Sequence, residues 1–344
     1  NASAVIQEGG LSDCGSTING SETLAVGSGG TGSYGYYRKN GGALTTGWLS
    51  VPGNNGFNGV FEQYGGDTYV TGSGSWLIMG WVNVNNGASV INVFGGTLRN
   101  SAAGNDISMN HNASRNSFNM INLLGPTAVL DANTSKTLLM ARTGTNLASI
   151  VNLNAGAIVA TRVYAGVTSV PSLFNFNGGT LRASTSRADF LQGLTATTIY
   201  PGGAAFDTAG NDVTVNQCLL APLGYGLSYI PLVNNGSGYV GAPAIVISGG
   251  SGTGATAIAT VDLVDGSPTK GTVTGISITS PGFNYLPTDS LTVSLYGGGA
   301  LSPATFGACS LGLNDPSGGL TKFGLGTLTL GGTNTYCGAT VINN

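Results

Sequence analysis

Glycine pairs that recur at nearly regular intervals are the feature that most constrains the fold of this chain. A Gly-Gly pair, or a close substitute, occurs every 23 to 32 residues between Gly9 and Gly202. Each pair separates two short segments of β-branched and aromatic residues, as around Gly95 and Gly178. A motif repeated at this step is typical of solenoids, in which each repeat buries its apolar face against the next.

The residues that precede each glycine pair form columns when the repeats are aligned. Side chains on a strand alternate between its two faces, so positions four and two places before the pair share one face. The first column contains Tyr37, Phe61, Ile91, Ile121, Val151 and Phe174, and the second contains Lys39, Gln63, Val93, Leu123, Leu153 and Phe176. The opposite face, three places before the pair, carries a predicted asparagine ladder of Asn92, Asn122, Asn152 and Asn175.

These columns predict an all-β fold, a right-handed parallel β-helix with three short strands and their turns in each coil. Stacked coils place like residues above one another at the strand spacing of about 4.8 Å. Antiparallel β-sandwich repeats are the alternative, because their strands also alternate. A sandwich, however, gives no reason for one motif to recur at one step.

A different repeat occupies the chain between two cysteines. The segment 232–247 is similar to the segment 278–295, and each is followed by a glycine-rich stretch. The sequence therefore predicts three parts: a parallel β-helix over 1–217, an inserted β module of two similar halves over 218–309, and a terminal β-helix coil over 310–344. Because the chain starts at Asn1 rather than Met, we expect a processed or excised fragment.

The four cysteines suggest two kinds of bridge. Cys218 and Cys309 bracket the insert, and secreted all-β chains with few cysteines usually pair them. A bridge there would close a loop of about 90 residues and constrain the unfolded chain by about 4–5 kcal/mol. Buried free thiols are the alternative. Cys14 and Cys337 lie near opposite ends of the solenoid, where head-to-tail stacking of subunits would allow an intersubunit disulfide.

The low charge of the chain limits its partners. Only 7% of the 344 residues are charged, against roughly 25% in ordinary soluble domains. With 11 Lys and Arg residues and a net charge of −3, the chain has no basic stripe for nucleic acid. No apolar run reaches the roughly 18–20 residues of a membrane span. Weak self-repulsion favours association with copies of the same chain or with neutral glycans.

The residue types needed for catalysis do not cluster. His111 is the only histidine, and its surroundings in the sequence are those of a polar turn. The 14 acidic residues are scattered, whereas β-helical enzymes that cleave polysaccharides need clustered acids. Asp106 and Asp212 each follow a Gly-Asn pair, where turn chemistry explains them. No zinc or calcium motif is present. The sequence thus predicts a protein that is not an enzyme and binds no cofactor.

Aromatic residues concentrate in the first third of the chain. Packing of the first coils explains most of them. The alternative is a surface that stacks on sugars or contacts another subunit, for which the candidates are Trp48, Tyr64, Trp76 and Trp81.

The last segment, residues 318–343, reads GGLTKFGLGTLTLGGTNTYCGATVIN. It resembles the autotransporter-associated β-strand repeat of large bacterial surface proteins, although Cys337 replaces the usual Thr or Ser. The resemblance implies a β-helix, export to the extracellular space or cell surface, and a role as passenger, adhesin or structural element. Two functions follow as expectations: a structural protein whose solenoids stack into a fibre, sheath or surface layer, or an adhesin that binds glycans or cell surfaces.

Overall fold

The computed structural model describes residues 2–13, 23–27, 29–30, 32–52, 58–72, 74–80, 87–101, 103–111, 117–143 and 147–343. Within these residues the chain forms β-strands and no helix. Parallel strands stack in layers and form a β-solenoid, which confirms the predicted β-helical fold class.

The first part of the solenoid consists of short strands joined by tight turns. In chain order these strands are β1 (Ala2–Gln7), β2 (Leu11–Asp13), β3 (Thr23–Ala25), β4 (Tyr34–Lys39), β5 (Ala43–Thr46), β6 (Trp48–Val51), β7 (Asn58–Gln63), β8 (Asp67–Val70), β9 (Leu77–Met79), β10 (Ala88–Val93), β11 (Gly96–Asn100), β12 (Ile107–Ser108), β13 (Phe118–Leu123), β14 (Ala128–Asp131), β15 (Leu138–Leu139), β16 (Ala148–Leu153), β17 (Ala157–Ala160), β18 (Val163–Tyr164), β19 (Ser172–Phe176), β20 (Thr180–Ala183), β21 (Arg187–Gln192), β22 (Ala196–Ile199), β23 (Ala204–Asp207), β24 (Val213–Val215) and β25 (Leu219–Leu220).

An inserted module and a final coil follow. The strands of the module, which we call the insert, are β26 (Tyr225–Tyr229), β27 (Leu232–Asn234), β28 (Ala244–Ser248), β29 (Thr253–Val261), β30 (Val273–Phe283), β31 (Thr292–Tyr296), β32 (Thr305–Phe306) and β33 (Ser310–Leu313). The final coil contains β34 (Leu320–Phe323), β35 (Leu328–Leu330) and β36 (Thr340–Ile342).

Three parallel sheets form the walls of the solenoid. Sheet A contains every third strand from β1 to β25, and sheet B contains every third strand from β2 to β23, then β34 and β36. Sheet C contains every third strand from β3 to β24, then β35. Because β34 pairs with β23 and β35 pairs with β24, the chain resumes the solenoid after the insert. Parallel pairing in all three sheets excludes the antiparallel sandwich for this part of the chain.

The register of sheet A agrees with the aligned repeats. Ile91 pairs with both Phe61 and Ile121, and Val151 pairs with both Ile121 and Phe174. These side chains are fully buried in the core inside the solenoid, which we call the lumen. Equivalent residues therefore meet from coil to coil, as the repeat predicted.

Backbone geometry requires the second glycine of the pairs that begin at Gly65 and Gly95. Gly96 has a φ of +73°, a left-handed conformation that glycine adopts at little cost. A Cβ atom at Gly96 would also lie 1.8 Å from the carbonyl oxygen of Gly66 in the preceding coil. Gly66 repeats this arrangement against Gly42, with a φ of +67°. The spacing of the glycine pairs thus reflects turns that stack without room for a side chain.

Two polar side chains of the second column are buried in the lumen with their hydrogen bonds made. Lys39 is fully buried, and its Nζ donates to the carbonyl oxygens of Gly42 at 2.8 Å and Gly65 at 2.9 Å. In the next coil, Gln63 donates through Nε2 to the carbonyl oxygens of Gly66 and Gly95 and accepts from the hydroxyl of Thr68. Turn carbonyls therefore satisfy these groups inside an otherwise apolar core.

The insert is an antiparallel β module. Its four-stranded sheet has the order β30-β29-β28-β31. Its first strand, β26, pairs with its last strand, β33, and we call this pair the neck of the insert. Since β33 ends at Leu313, the paired neck extends beyond residue 309, the end predicted from the sequence. The two similar halves contribute β28 and β31, which pair antiparallel with each other, for example Ile245 with Leu295.

The insert packs on the outer face of sheet A. Buried apolar residues from both sides form a second core, separate from the lumen. The sheet A members are Tyr34, Tyr36, Val60, Ala88, Val90, Phe118, Met120, Ile150, Leu173 and Ala196. Sheet A is thus covered on both faces, and this explains why its strands are apolar on the outer face as well.

Candidate functional site

The outer face of sheet C carries two tryptophans in neighbouring coils. Trp48 begins β6 and Trp76 directly precedes β9. Leu49 pairs with Leu77, and both point into the lumen, so the preceding tryptophans lie side by side on the outer face. Their ring centroids are 6.4 Å apart at an interplanar angle of 58°, and both side chains are half-buried.

His111 and Arg142, from the next two coils, complete this cluster. The His111 ring packs edge-on against Trp76 with 4.5 Å between centroids. The guanidinium carbon of Arg142 lies 4.7 Å from the Trp76 ring centroid. Arg142 Nη1 is 2.9 Å from Nδ1 of His111. We call Trp48, Trp76, His111 and Arg142 the sheet C cluster.

The imidazole of His111 is neutral at pH 7. Burial is the main cause that lowers its pKa to about 4, and the neighbouring charge of Arg142 lowers it further. A neutral ring can accept a hydrogen bond from the guanidinium, which fixes Arg142 beside Trp76. His111 is 8% exposed, so the residue expected at a polar turn is a packed part of this cluster.

The structure does not bring Tyr64 into this cluster. Tyr64 follows β7 of sheet A and stacks on Phe94, with ring centroids 4.3 Å apart and Arg38 on the ring. Its hydroxyl donates to Glu62 at 3.3 Å. Trp81 lies outside the described residues.

The predicted asparagine column forms a hydrogen-bonded chain between sheet A and the insert. Asn122 donates to Asn92 and Asn152 donates to Asn122, each at 2.7 Å, and Asn175 donates to Asn152 at 2.8 Å. Asn152 also donates to the hydroxyl of Thr256 in the insert at 2.9 Å. We call these four residues the asparagine ladder, and their burial under the insert removes them from a role in contacting a soluble ligand.

The ladder ends on a buried carboxylate that the sequence analysis overlooked. Glu62 occupies the same column one coil earlier and accepts from Asn92 Nδ2 at 3.1 Å and from the Tyr36 hydroxyl at 2.6 Å. Burial raises the pKa of Glu62, while the hydrogen bonds from Tyr36 and Asn92 and the charge of Arg38 oppose that rise. Counting the same position in every repeat would have revealed it.

The cysteines do not form the predicted bridge. Cys218 and Cys309 are both free thiols in the structure. Cys218 precedes β25 in the solenoid wall, whereas Cys309 packs against the second core in the insert, where burial raises its pKa. Pairing of β26 with β33 holds the neck of the insert instead. Cys337 is exposed in the final coil, and Cys14 lies outside the described residues.

The final coil leaves its lumen open. A cavity of about 410 Å³ there is lined by Leu320, Lys322, Leu328, Leu330 and Ile342, among others. Ile342 is 69% exposed, although it pairs with Lys322 in the column that points into the lumen. Lys322 is buried, and its Nζ donates to the carbonyl oxygen of Gly324.

The described part of the chain contains no group of three or more His, Cys, Asp or Glu side chains placed to hold a metal ion. Nor do we find, in the same residues, a helix with the length and apolarity needed to cross a membrane. The aspartates that follow Gly-Asn pairs accept backbone hydrogen bonds from the adjacent coil, Asp106 from Thr137 and Asp212 from Thr327.

Fold and surface together define a β-solenoid protein with an inserted β module. Comparison of the chain with protein-family models, with curated proteins and with solved structures finds no match.

Proposed function

We propose that this chain is an extracellular structural protein whose solenoid stacks end to end on a further coil, in a second copy or in another repeat. The open lumen of the final coil supports this proposal most directly. Ile342, Leu328 and Leu330 present apolar surface there that a following coil would bury.

The strand edges at both ends support the same proposal. In the described part of the chain, β1 pairs only with β4, and β36 pairs only with β34. Val5 pairs with the lumen residue Tyr37 and is 52% exposed. Unpaired parallel edges with apolar side chains are templates for further pairing. The low charge of the chain offers little repulsion against such contacts.

Export to a bacterial cell surface is part of the proposal and depends on the resemblance of residues 318–343 to the autotransporter-associated repeat. In keeping with that resemblance, β34, β35 and β36 of this segment continue sheets B and C.

The experiment is a comparison of two charged substitutions in the full chain. Ile342→Lys places a charge in the open lumen, and Leu301→Lys places one on the insert at a side chain that is 89% exposed. We expect wild type and Leu301→Lys to form rods in electron microscopy and to sediment as assemblies, and Ile342→Lys to remain monomeric. Dispersed wild-type monomers at high concentration would contradict the proposal.

Adhesion to glycans is the second candidate function. The sheet C cluster supports it, because it places two half-buried indole rings side by side on the outer wall. Binding on a glycan array that is lost on Trp76→Ala, with an unchanged melting temperature, would support this function. Binding that persists in this variant would place the contact elsewhere.

A further inference from the structure

Arg142 differs in its surroundings from the cations that form ion pairs in the described residues. Ion pairs in the described residues join aspartates to Arg99, Arg162, Arg182, Arg187 and Lys270. No carboxylate of the described chain pairs with Arg142. Its guanidinium lies instead on Trp76 and on the imidazole of His111.

The guanidinium therefore keeps both its charge and some of its donors for another group. Arginine has five N–H donors, and the guanidinium of Arg142 contacts the two ring nitrogens of His111 through Nη1, at 2.9 Å and 3.3 Å. The side chain is half-buried, and this lowers the cost of desolvation when an anion binds. A guanidinium held in one orientation suits the two oxygens of a carboxylate.

The two indole rings supply the apolar part of the same surface. Trp48 and Trp76 belong to neighbouring coils, whose strands are about 4.8 Å apart. Their ring centroids are 6.4 Å apart, and the C–H face of a pyranose packs on the apolar surface of such rings. Apolar rings beside a few fixed polar groups are the usual composition of a small-molecule site.

We propose that Trp48, Trp76 and Arg142 bind a glycan made of carboxylate-bearing pyranoses, the uronic acids. The indole surface that Arg142 and His111 leave uncovered packs against the sugar rings, and the Arg142 guanidinium pairs with a sugar carboxylate. This inference rests on the second candidate function, adhesion to glycans, and names its ligand class and its site.

The experiment measures binding of oligogalacturonate to the full chain by isothermal titration calorimetry. The methyl ester of the same oligosaccharide is the neutral probe. We expect the acid to bind at least tenfold more tightly than the ester, since only the acid can form a charge-assisted hydrogen bond with the guanidinium. Added salt should lower the affinity for the acid more than the affinity for the ester, because it screens the ion pair.

Two matched variants locate the site. Arg142→Gln should lose at least tenfold in affinity for the acid, whereas Arg182→Gln, which removes the same charge from the outer face of sheet B, should bind as wild type. Trp76→Leu should lower the affinity for both probes, because it removes the aromatic packing surface. Thermal unfolding of each variant confirms that the solenoid is intact.

The outcomes separate the ligand class from the adhesin function. Equal affinity for acid and ester, both weakened by Trp76→Leu, would overturn the uronic acid proposal and keep glycan adhesion. Loss of acid binding to the same extent in Arg182→Gln and Arg142→Gln would overturn the site. No binding of either probe by wild type would overturn the proposal, and absence of binding on a broad glycan array would overturn adhesion as well.

Discussion

Lys39 is a fully buried cation in the lumen, and its environment predicts a particular dependence of stability on pH. Burial lowers its pKa to about 8, and the charge of Asp67 only partly opposes this. In the unfolded chain a lysine has a pKa of about 10.4. As pH rises, the folded state therefore releases this proton before the unfolded state does.

The contribution of Lys39 to stability should increase with pH from about 8, because the unfolded state keeps this proton while the folded state releases it. Buried tyrosines with raised pKa values, such as Tyr34 and Tyr200, act in the opposite sense as pH approaches 10. The gain is on the order of 1–3 kcal/mol. We expect Lys39→Met to abolish this rise in urea unfolding measured from pH 7 to pH 10.5. Exposed Lys270→Met is the control and should keep it. Parallel pH profiles of stability for wild type and Lys39→Met would contradict the burial argument.

The sheet C cluster shows which residues of a candidate site can be predicted from the sequence and which cannot. Trp48 and Trp76 could be proposed as contact residues because aromatic residues concentrate in the first third of the chain. Arg142 could not, since it follows Trp76 by 66 positions and lies in a turn outside the repeated columns. Turn residues outside these columns carry no periodic signal that shows which of them become neighbours.

The strands of sheet A explain why the asparagine ladder is buried. Their outer face packs against the insert, so an amide there must find partners within the protein. Asn92, Asn122 and Asn152 each donate to the coil before and accept from the coil after, which the parallel register allows. The chain ends on the Glu62 carboxylate, an acceptor that needs no donor of its own.

Removal of one asparagine from the ladder should therefore lower the stability of the fold. Asn122→Ala leaves the Oδ1 of Asn92 without its donor and takes away an acceptor of Asn152, so we expect a loss of about 2–4 kcal/mol in the free energy of unfolding. Asn216→Ala is the matched control, because Asn216 is exposed; its loss should stay within about 0.5 kcal/mol. Equal losses in chemical denaturation would show that the ladder contributes nothing as a network.

The association of the insert with the solenoid depends on close contact along sheet A. A Cβ at Gly241 would lie 2.3 Å from Cγ of Tyr36 and 2.7 Å from the hydroxyl of Tyr34. Neither ring can easily move, since the Tyr34 hydroxyl donates to Ala242 and the Tyr36 hydroxyl to Glu62. The insert therefore fits only if this position has no side chain.

Gly241→Ala should loosen the insert and cost about 1–3 kcal/mol through overpacking. Hydrogen exchange should then accelerate at backbone amides of the insert that face sheet A, while amides of the lumen-facing strands stay protected. Gly275→Ala is the control, because a Cβ there meets no atom within 4 Å. Unchanged exchange in Gly241→Ala would mean that the two parts pack less tightly than their contacts indicate.

The sequence by itself determined the solenoid and its register. A parallel stack needs the same residue type at the same place in every coil. Columns such as Ile91, Ile121 and Val151 can therefore be recognised from the sequence alone. The glycine pairs can also be recognised from the sequence, because stacked turns exclude side chains and so require glycine at the same place in successive coils. Local repetition thus encodes the coils directly.

Only the tertiary structure decided where the insert lies and what it covers. The contact of Asn152 with Thr256 joins residues 104 positions apart. Because such a contact is not part of the repeat, no periodic pattern in the sequence predicts it. The same holds for the free thiols of Cys218 and Cys309, which the packing of the insert places in different surroundings. Repeated contacts leave a periodic trace in a sequence, whereas a contact made once is fixed by the complementary shapes of two folded surfaces.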